Sequence, residues 1–494
     1  MNTPPLGATN AMMRAEPQAA PYRPDIAIAE VADFLADRVH AAEFPSLRLR
    51  FRNRRWDRAV GLDTLSDDQW VAHFGAFKPL PGNLPQPLAL RYHGHQFRVY
   101  NPEIGDGRGF LAGQLRDGSG RLLDLGTKGS GTTPWSRTAD GRLTLKGAVR
   151  EILATEMLEA LGVYTSKTFS VIETGEQLMR GDEPSPTRSA VLVRLGHAHI
   201  RIGSFQRLYA LGETENLARL VGYCLRHYPG PPAPDDAVGR DEPAVRLLHQ
   251  AVERLADLAA SYMVAGFVHG VLNSDNMAIT GESFDYGPWR FLPSWDPGFT
   301  AAYFDHAGLY AFGRQPSAIR WNLGQLALAL SPLAPSEALV AALDRFGPLY
   351  QASMVRRFLW RLGVASLDAE RDLALVEASE LALREAGGSP ELFFHRHRGG
   401  RKATGALAEA LAGYAAIDDG SDAYWQGDGV QSMLIDEVEA IWAAIADGDD
   451  WGRLERKVAA LRELGAALGE PPVPQGHLPS AAPDFAPGGA TAKV

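Results

Sequence analysis

The sequence predicts an α+β protein of two lobes, strand-rich first and helical second, with extra helices towards the C-terminus. Two textures predict it. From about Leu80 to Asp140, short apolar runs alternate with Gly, Pro, Asp and Asn, as strands and hairpins do. From about Thr214 onward, apolar residues recur at helical spacing. A chain of 494 residues also exceeds one small core, so more than one lobe is expected.

In chain order, residues 1–24 are rich in Pro, Ala and polar residues and read as a flexible arm. Residues 25–213 form the expected strand-rich lobe. It opens on "DIAIAEVADFLADRVH", which has helical spacing, and continues through the strand-like "GFLAGQLRD" and "RLLDLGTKGSG". "TLKGAVREILATEMLEALG" is an amphipathic helix inserted there and stopped by Gly162. "TFSVIET" and "SAVLVRLG" return to strand. Residues 214–346 form the helical lobe, with "TENLARLVGYCLRHY" and "DEPAVRLLHQAVERLADLAASYMVAG" joined by the Pro-rich loop "YPGPPAPDDAVG". Residues 347–470 read as a helical extension, and 471–494 as a disordered Pro/Gly/Ala tail.

Bulk composition narrows the function. A net charge of −10 argues against a nucleic-acid footprint over the whole surface. No run of eighteen apolar residues spans a membrane, and the N-terminus lacks a signal-peptide pattern; a cytoplasmic protein is expected. Cys224 is the one cysteine, which excludes a disulfide framework and reads as a small buried residue. His93, His95, His395 and His397 have no zinc spacing.

The chemistry concentrates in "GFVHGVLNSDNMAITGESFDYGP", residues 266–288. Asn273, Asp275, Asn276 and Asp285 suit a hard cation shared with a phosphate if they converge in space, although turn chemistry alone also gathers such residues. Upstream, Gly105, Gly107 and Gly109 alternate around Arg108, as where backbone amides approach phosphate oxygens or in a tight hairpin. Lys128 ends an apolar strand and could reach a phosphate, or face solvent. Glu151 and Glu156 on the following helix could hold that ammonium, or belong to a solvated face.

In combination these parts follow the order of protein-kinase machinery: glycine loop, strand lysine, helix glutamate, Asp/Asn loop and an Asp-aromatic-Gly triplet, here Asp285-Tyr286-Gly287. The expected fold is therefore protein-kinase-like. One slot departs from it. Val271 stands where a kinase places its catalytic aspartate, while Asn276 keeps the metal-ligand spacing. The carboxylate has moved to Asp275.

"RYHGHQFRVYNPEIGDGRG", "LDLGTKGSGTTPWSRTADGRLTLKGAVREIL", "HGVLNSDNM", "DYGP" and "QPSAIRWNLGQLALAL" together resemble the selenoprotein O family, from roughly Leu88 to Leu333. The resemblance implies AMP transfer from ATP to Ser, Thr or Tyr hydroxyls of proteins. The nucleotide would lie inverted relative to kinases, with its α-phosphorus facing the acceptor. It implies nucleotide contacts at Gly105, Gly107, Arg108, Lys128, Asp140 and Gly141, with Glu151 pairing Lys128. Arg194 and Arg201 would clamp the terminal phosphates, and Asp275 would accept the proton. Asn276 and Asp285 would hold magnesium or manganese, Asp285 also serving the nucleotide.

Three departures stand out. Arg98 replaces the family's usual Gly after "GHQF". The tail has no selenocysteine or cysteine, so redox control there is not expected. The region after about Pro348 lacks the family's "NPxxxLRNY"-type segment and contains "FHRHRGGRK", which reads as a solvated basic face or an acidic-partner patch. Three other functions remain open on the residues alone: a kinase moving the γ-phosphate, UMP transfer from UTP, and a non-catalytic nucleotide-binding scaffold.

Overall fold

The computed structural model describes residues 17–472, except 182, 419 and 428. Residues 1–16 of the expected arm and 473–494 of the expected tail lie outside the described residues. Residues 17–24 run against the sheet: Ala20 N–H donates to the Arg58 carbonyl and the Tyr22 hydroxyl to that of Pro81.

A nine-stranded antiparallel sheet organises the first part of the chain. Its order is Ala36–Arg38, Leu88–Leu90, Leu111–Arg116, Leu122–Lys128, Thr187–Gly196, Lys167–Leu178 and Arg48–Arg52, with Pro24–Asp25 and Leu143–Thr144 pairing off this path. Strand Leu122–Lys128 is covered on both faces. Leu123 and Leu125 pack with Val193, Leu195, Trp70 and Phe74. Leu122 and Leu192 pack with the helix Leu145–Ala160 on the other face. Because side chains alternate across a strand, Lys128 shares the helix-facing side. Its Cα partner is Leu192, two residues before Arg194 on the neighbouring strand, so both cations project from one face.

The opening segment departs from its helical spacing. Only Ala32–Leu35 is α-helical, and the chain then extends as Ala36–Arg38. Pairing with Leu88–Leu90 satisfies the backbone there, while Ile28, Val31, Phe34 and Leu35 still bury their side chains. Tertiary pairing overrides the local period.

The remaining chain is mainly helical. Pro243–Val264 is buried almost all round, the mark of a core helix. It packs against Gln315–Leu330 and Phe346–Leu362. Cys224 lies buried on Thr214–His227, where burial pushes its thiol up. No described helix is long and apolar enough to cross a membrane.

The last helix, Gly452–Leu468, returns to pack along Leu145–Ala160. There Arg462 grips Glu156 through Nε at 2.9 Å and Nη2 at 2.8 Å. Lys146, on the same inserted helix, pairs with Glu439 at 2.7 Å. The C-terminal helices thus brace the helix that also carries Glu151. Breaking a buried ion pair by one partner costs about 3–5 kcal/mol. The Arg462 side chain is 30% exposed, so solvent screening should reduce the loss. Arg462→Ala is expected to cost about 1–3 kcal/mol by urea denaturation, with Glu156→Gln adding little in the double variant.

Candidate active site

Three elements meet at the Lys128 ammonium. Lys128 comes from the end of its strand and pairs with Glu151 of the inserted helix. Asp285, from the loop after the short strand Phe267–Val268, places Oδ1 3.0 Å from the same nitrogen. Arg194 completes the cluster, 3.5 Å from Asp285 and 3.9 Å from Glu151 Oε2. Glu156, the other helix glutamate, faces away to Arg462.

Asp285 adopts a φ of +63°, a left-handed conformation costly for a residue with a Cβ. Its environment is strongly polarised. Burial alone would raise the carboxyl, but Lys128, Arg194, Arg108 and Arg201 outweigh it and hold the group well below the usual carboxylate range. Asp285 therefore remains an anion.

Asp275 experiences the opposite balance. Ser274–Asn276 forms a single 3-10 turn, and the segment leading into it is held by helix Gln315–Leu330. Gln315 accepts the His269 N–H at 3.0 Å and donates to the Phe267 carbonyl at 2.8 Å, and Asn322 donates to the Leu272 carbonyl at 2.8 Å. Asn276 donates its amide nitrogen to the Val271 carbonyl at 2.9 Å, which orients its side chain. Asp275 is buried, and burial pushes its carboxyl up to about 6 despite the opposing pull of Arg201. Its Oδ1 accepts no hydrogen bond among the described residues. Buried polar atoms are rarely left so unless a ligand or water completes them.

Arg201 ties this turn to the glycine loop. It donates to the Asp275 carbonyl at 3.0 Å and to Asp106 Oδ1 at 3.1 Å. Tyr92 and Phe284 flank the guanidinium at 4.4 Å and 4.9 Å from their ring centres. Asp106 in turn accepts the Leu90 N–H. Sequence reading missed Asp106, Tyr92 and Phe284; the signal available was an acidic residue between Gly105 and Gly107.

The glycines are required by close packing. A Cβ on Gly105 would lie 2.5 Å from the Trp135 ring, and one on Gly109 would lie 2.0 Å from the Thr127 carbonyl oxygen. The Gly107 carbonyl accepts from Ser136. Arg108 projects outward into a cavity of about 390 Å³ shared with Asp140, Gly141, Arg142 and Arg180. Asp140 pairs with Arg180 at 2.8 Å, and Gly141 turns with a φ of +69°. The Arg108 carbonyl accepts the Gly129 N–H at 2.7 Å, so this cavity adjoins the strand end that carries Lys128.

Among the described residues, no group of three or more His, Cys, Asp and Glu side chains could hold a metal alone. Asn276 and Asp285 supply hard oxygen donors. That set fits a cation that keeps water and phosphate oxygens in its remaining positions.

A buried cluster of cations facing two carboxylates of opposed acidity is the equipment of a nucleotide-handling enzyme. Residues 19–403 match the family model described as protein adenylyltransferase SelO. A protein nucleotidyltransferase YdiU of Synechococcus elongatus is 42% identical over 90% of this chain and 95% of its own length. The Gloeobacter violaceus protein of that name is 43% identical over 90% and 95%, and the Synechocystis sp. one 49% identical over 71% and 72%. This chain belongs to the SelO family of nucleotidyltransferases.

The lowered carboxyl value of Asp285 has a stability signature. Its contribution is present above the unfolded carboxyl value of about 3.9 and is lost as pH falls through the lower folded value. Lys128→Met removes the nearest cation, so the acid limb of stability should flatten. Thermal midpoints recorded between pH 3 and 7 for both proteins check this.

Proposed function

We propose that this chain has a protein-kinase-like fold and transfers AMP from ATP to Ser, Thr or Tyr hydroxyls of proteins, releasing pyrophosphate. The observation that carries the reading is Asp275. A buried carboxylate with an uncommitted oxygen and a value of about 6 stands beside Arg201 in a site that also holds Lys128 and Arg194, while Val271 occupies the kinase base position.

The acceptor hydroxyl gives its proton to Asp275, and its oxygen bonds to the α-phosphorus. The bond from that phosphorus to the bridging oxygen breaks, and pyrophosphate departs with the electron pair. Arg194 and Arg201 hold the terminal phosphates, where bidentate donors stabilise developing charge. Lys128, positioned by Glu151, holds the phosphate chain, and Gly105, Gly107, Arg108, Asp140 and Gly141 line its approach. Magnesium or manganese, held by Asn276 and Asp285, would neutralise triphosphate charge when bound. The order of kinase-like parts along the sequence supports the fold, and family membership supports the nucleotide.

Intact-mass analysis with ATP and manganese tests the reaction. An added AMP, retaining α-label and absent in Asp285→Ala, is expected; retention of γ-label instead would overturn the proposal. UTP competition reads the base preference.

Asp275→Asn should lower kcat about 100- to 10,000-fold, the span of general-base contributions. In the wild type, kcat/KM should rise with pH through about 6 as Asp275 loses its proton. Stability moves the other way. The folded state holds that proton more tightly than the unfolded chain, so stability falls as pH climbs from about 4 to about 6. Asn removes the ionisation, and Asp275→Asn should be more stable at pH 7.5 by on the order of 2 kcal/mol, read by chemical denaturation.

A further inference from the structure

Beside Asp275 lies an apolar surface that the chemistry above does not use. Tyr303 is 82% exposed, Val99 70% and Phe304 42%. Bulky apolar side chains gathered on a surface, unlike scattered ones, mark interaction sites.

The patch is built from two segments locked to the Asp275 turn. One is the hairpin of Gly94–Gln96 and Val99–Asn101. Phe97 and Arg98 at its tip have φ values of +49° and +63°, as a tight two-residue hairpin requires. That conformation accounts for the glycine usual at the Arg98 position; here Arg98 lies over Trp321, 5.4 Å from the ring centre. The hairpin gives two backbone N–H groups to the turn, His95 to Ser274 Oγ at 2.7 Å and Phe97 to Asn273 Oδ1 at 3.1 Å. Gly94 approaches so closely that a Cβ would lie 3.0 Å from Asp275 Oδ1.

The second segment runs from Tyr303 to Tyr310. The Tyr310 hydroxyl donates to Asn273 Oδ1 at 2.7 Å, so one amide oxygen serves both segments. Phe97 bridges them, 5.8 Å from Phe304 and 5.0 Å from Tyr310 between ring centres, and Tyr303 abuts Phe304. The patch is therefore fixed relative to Asp275 through packed rings and hydrogen bonds.

We infer that Val99, Tyr303 and Phe304 form the docking surface for the acceptor protein, receiving a bulky apolar side chain close to the modified hydroxyl. The inference rests on the proposed AMP transfer. A hydroxyl held at Asp275 brings its neighbouring residues alongside the hairpin and the Tyr303–Tyr310 segment that pin that turn, and those elements present apolar side chains. Substrate selection is then local: the hydroxyl's neighbours are read by surface contact.

Two synthetic peptides test it, each with one Ser in a Gly/Lys background, one carrying Phe two residues from the Ser and the other carrying Asp there. With α-labelled ATP, the wild type should label the Phe peptide at least about tenfold faster, the usual scale of discrimination by one apolar contact. In Val99→Ser/Tyr303→Ser/Phe304→Ser that preference should collapse, with labelling of the Asp peptide and ATP affinity unchanged. Equal labelling by the wild type, or a preference retained by the triple variant, overturns the docking surface and leaves AMP transfer standing. Label on neither peptide, with none on the enzyme itself, overturns the AMP-transfer reading and the docking surface with it. A wild-type dimer in sedimentation that the triple variant converts to monomer assigns the patch to a second copy instead.

Discussion

The Lys128 ammonium is the joint on which the site depends. It contacts Glu151 of the inserted helix and Asp285 of the loop in the helical part, so sheet, helix and loop are held by one charge. The ammonium gives the buried Glu151 and the partly exposed Asp285 a shared partner, as charges withdrawn from water require. Arg194, diagonal to Lys128 across two paired strands, adds a second positive charge to the same pair. The structure thereby concentrates cations before any nucleotide arrives. Part of the electrostatic work of binding is pre-organised.

The C-terminal helices take part in this arrangement. Arg462 and Glu439 hold the inserted helix from outside, at Glu156 and Lys146, while the sheet holds it from inside. Helix position determines where Glu151 meets Lys128. In parallel, Gln315 and Asn322 reach up from a core helix to carbonyl and N–H groups of Phe267, His269 and Leu272, the segment leading into the Asp275 turn. Buried amides that satisfy backbone groups on both sides leave little freedom for the turn. Rigid support from helices gives precision to a site whose reactive residues sit on loops.

Two aspartates ten residues apart have opposite characters for reasons visible in their neighbours. Asp285 faces four cations and stays ionised. Asp275 is shielded from water, with Arg201 spending its hydrogen bonds on Asp106 and the Asp275 carbonyl rather than on the carboxylate. Environments that push two carboxyl groups apart can separate their roles, which is the basis for the proposed assignment of Asp285 to a cation and Asp275 to the proton.

Much of this was readable from the chain alone. The strands "GFLAGQLRD", "RLLDLGTKGSG" and "SAVLVRLG", the inserted helix and the principal helices of the second part formed where their periodicity indicated, because burial of one or both faces leaves a regular pattern. The ordered motifs also singled out Lys128, Glu151 and Asp285, which meet in the structure. Folding in three dimensions decided the rest. It sent Glu151 to Lys128 and Glu156 to Arg462, two glutamates equivalent in local sequence. It ended the helix of "DIAIAEVADFLADRVH" at Leu35 by offering Leu88–Leu90 as a partner to Ala36–Arg38, and it set Asp106 against Arg201. Propensity acts between neighbours along the chain, whereas ion pairing, desolvation and strand pairing depend on residues brought together from far apart.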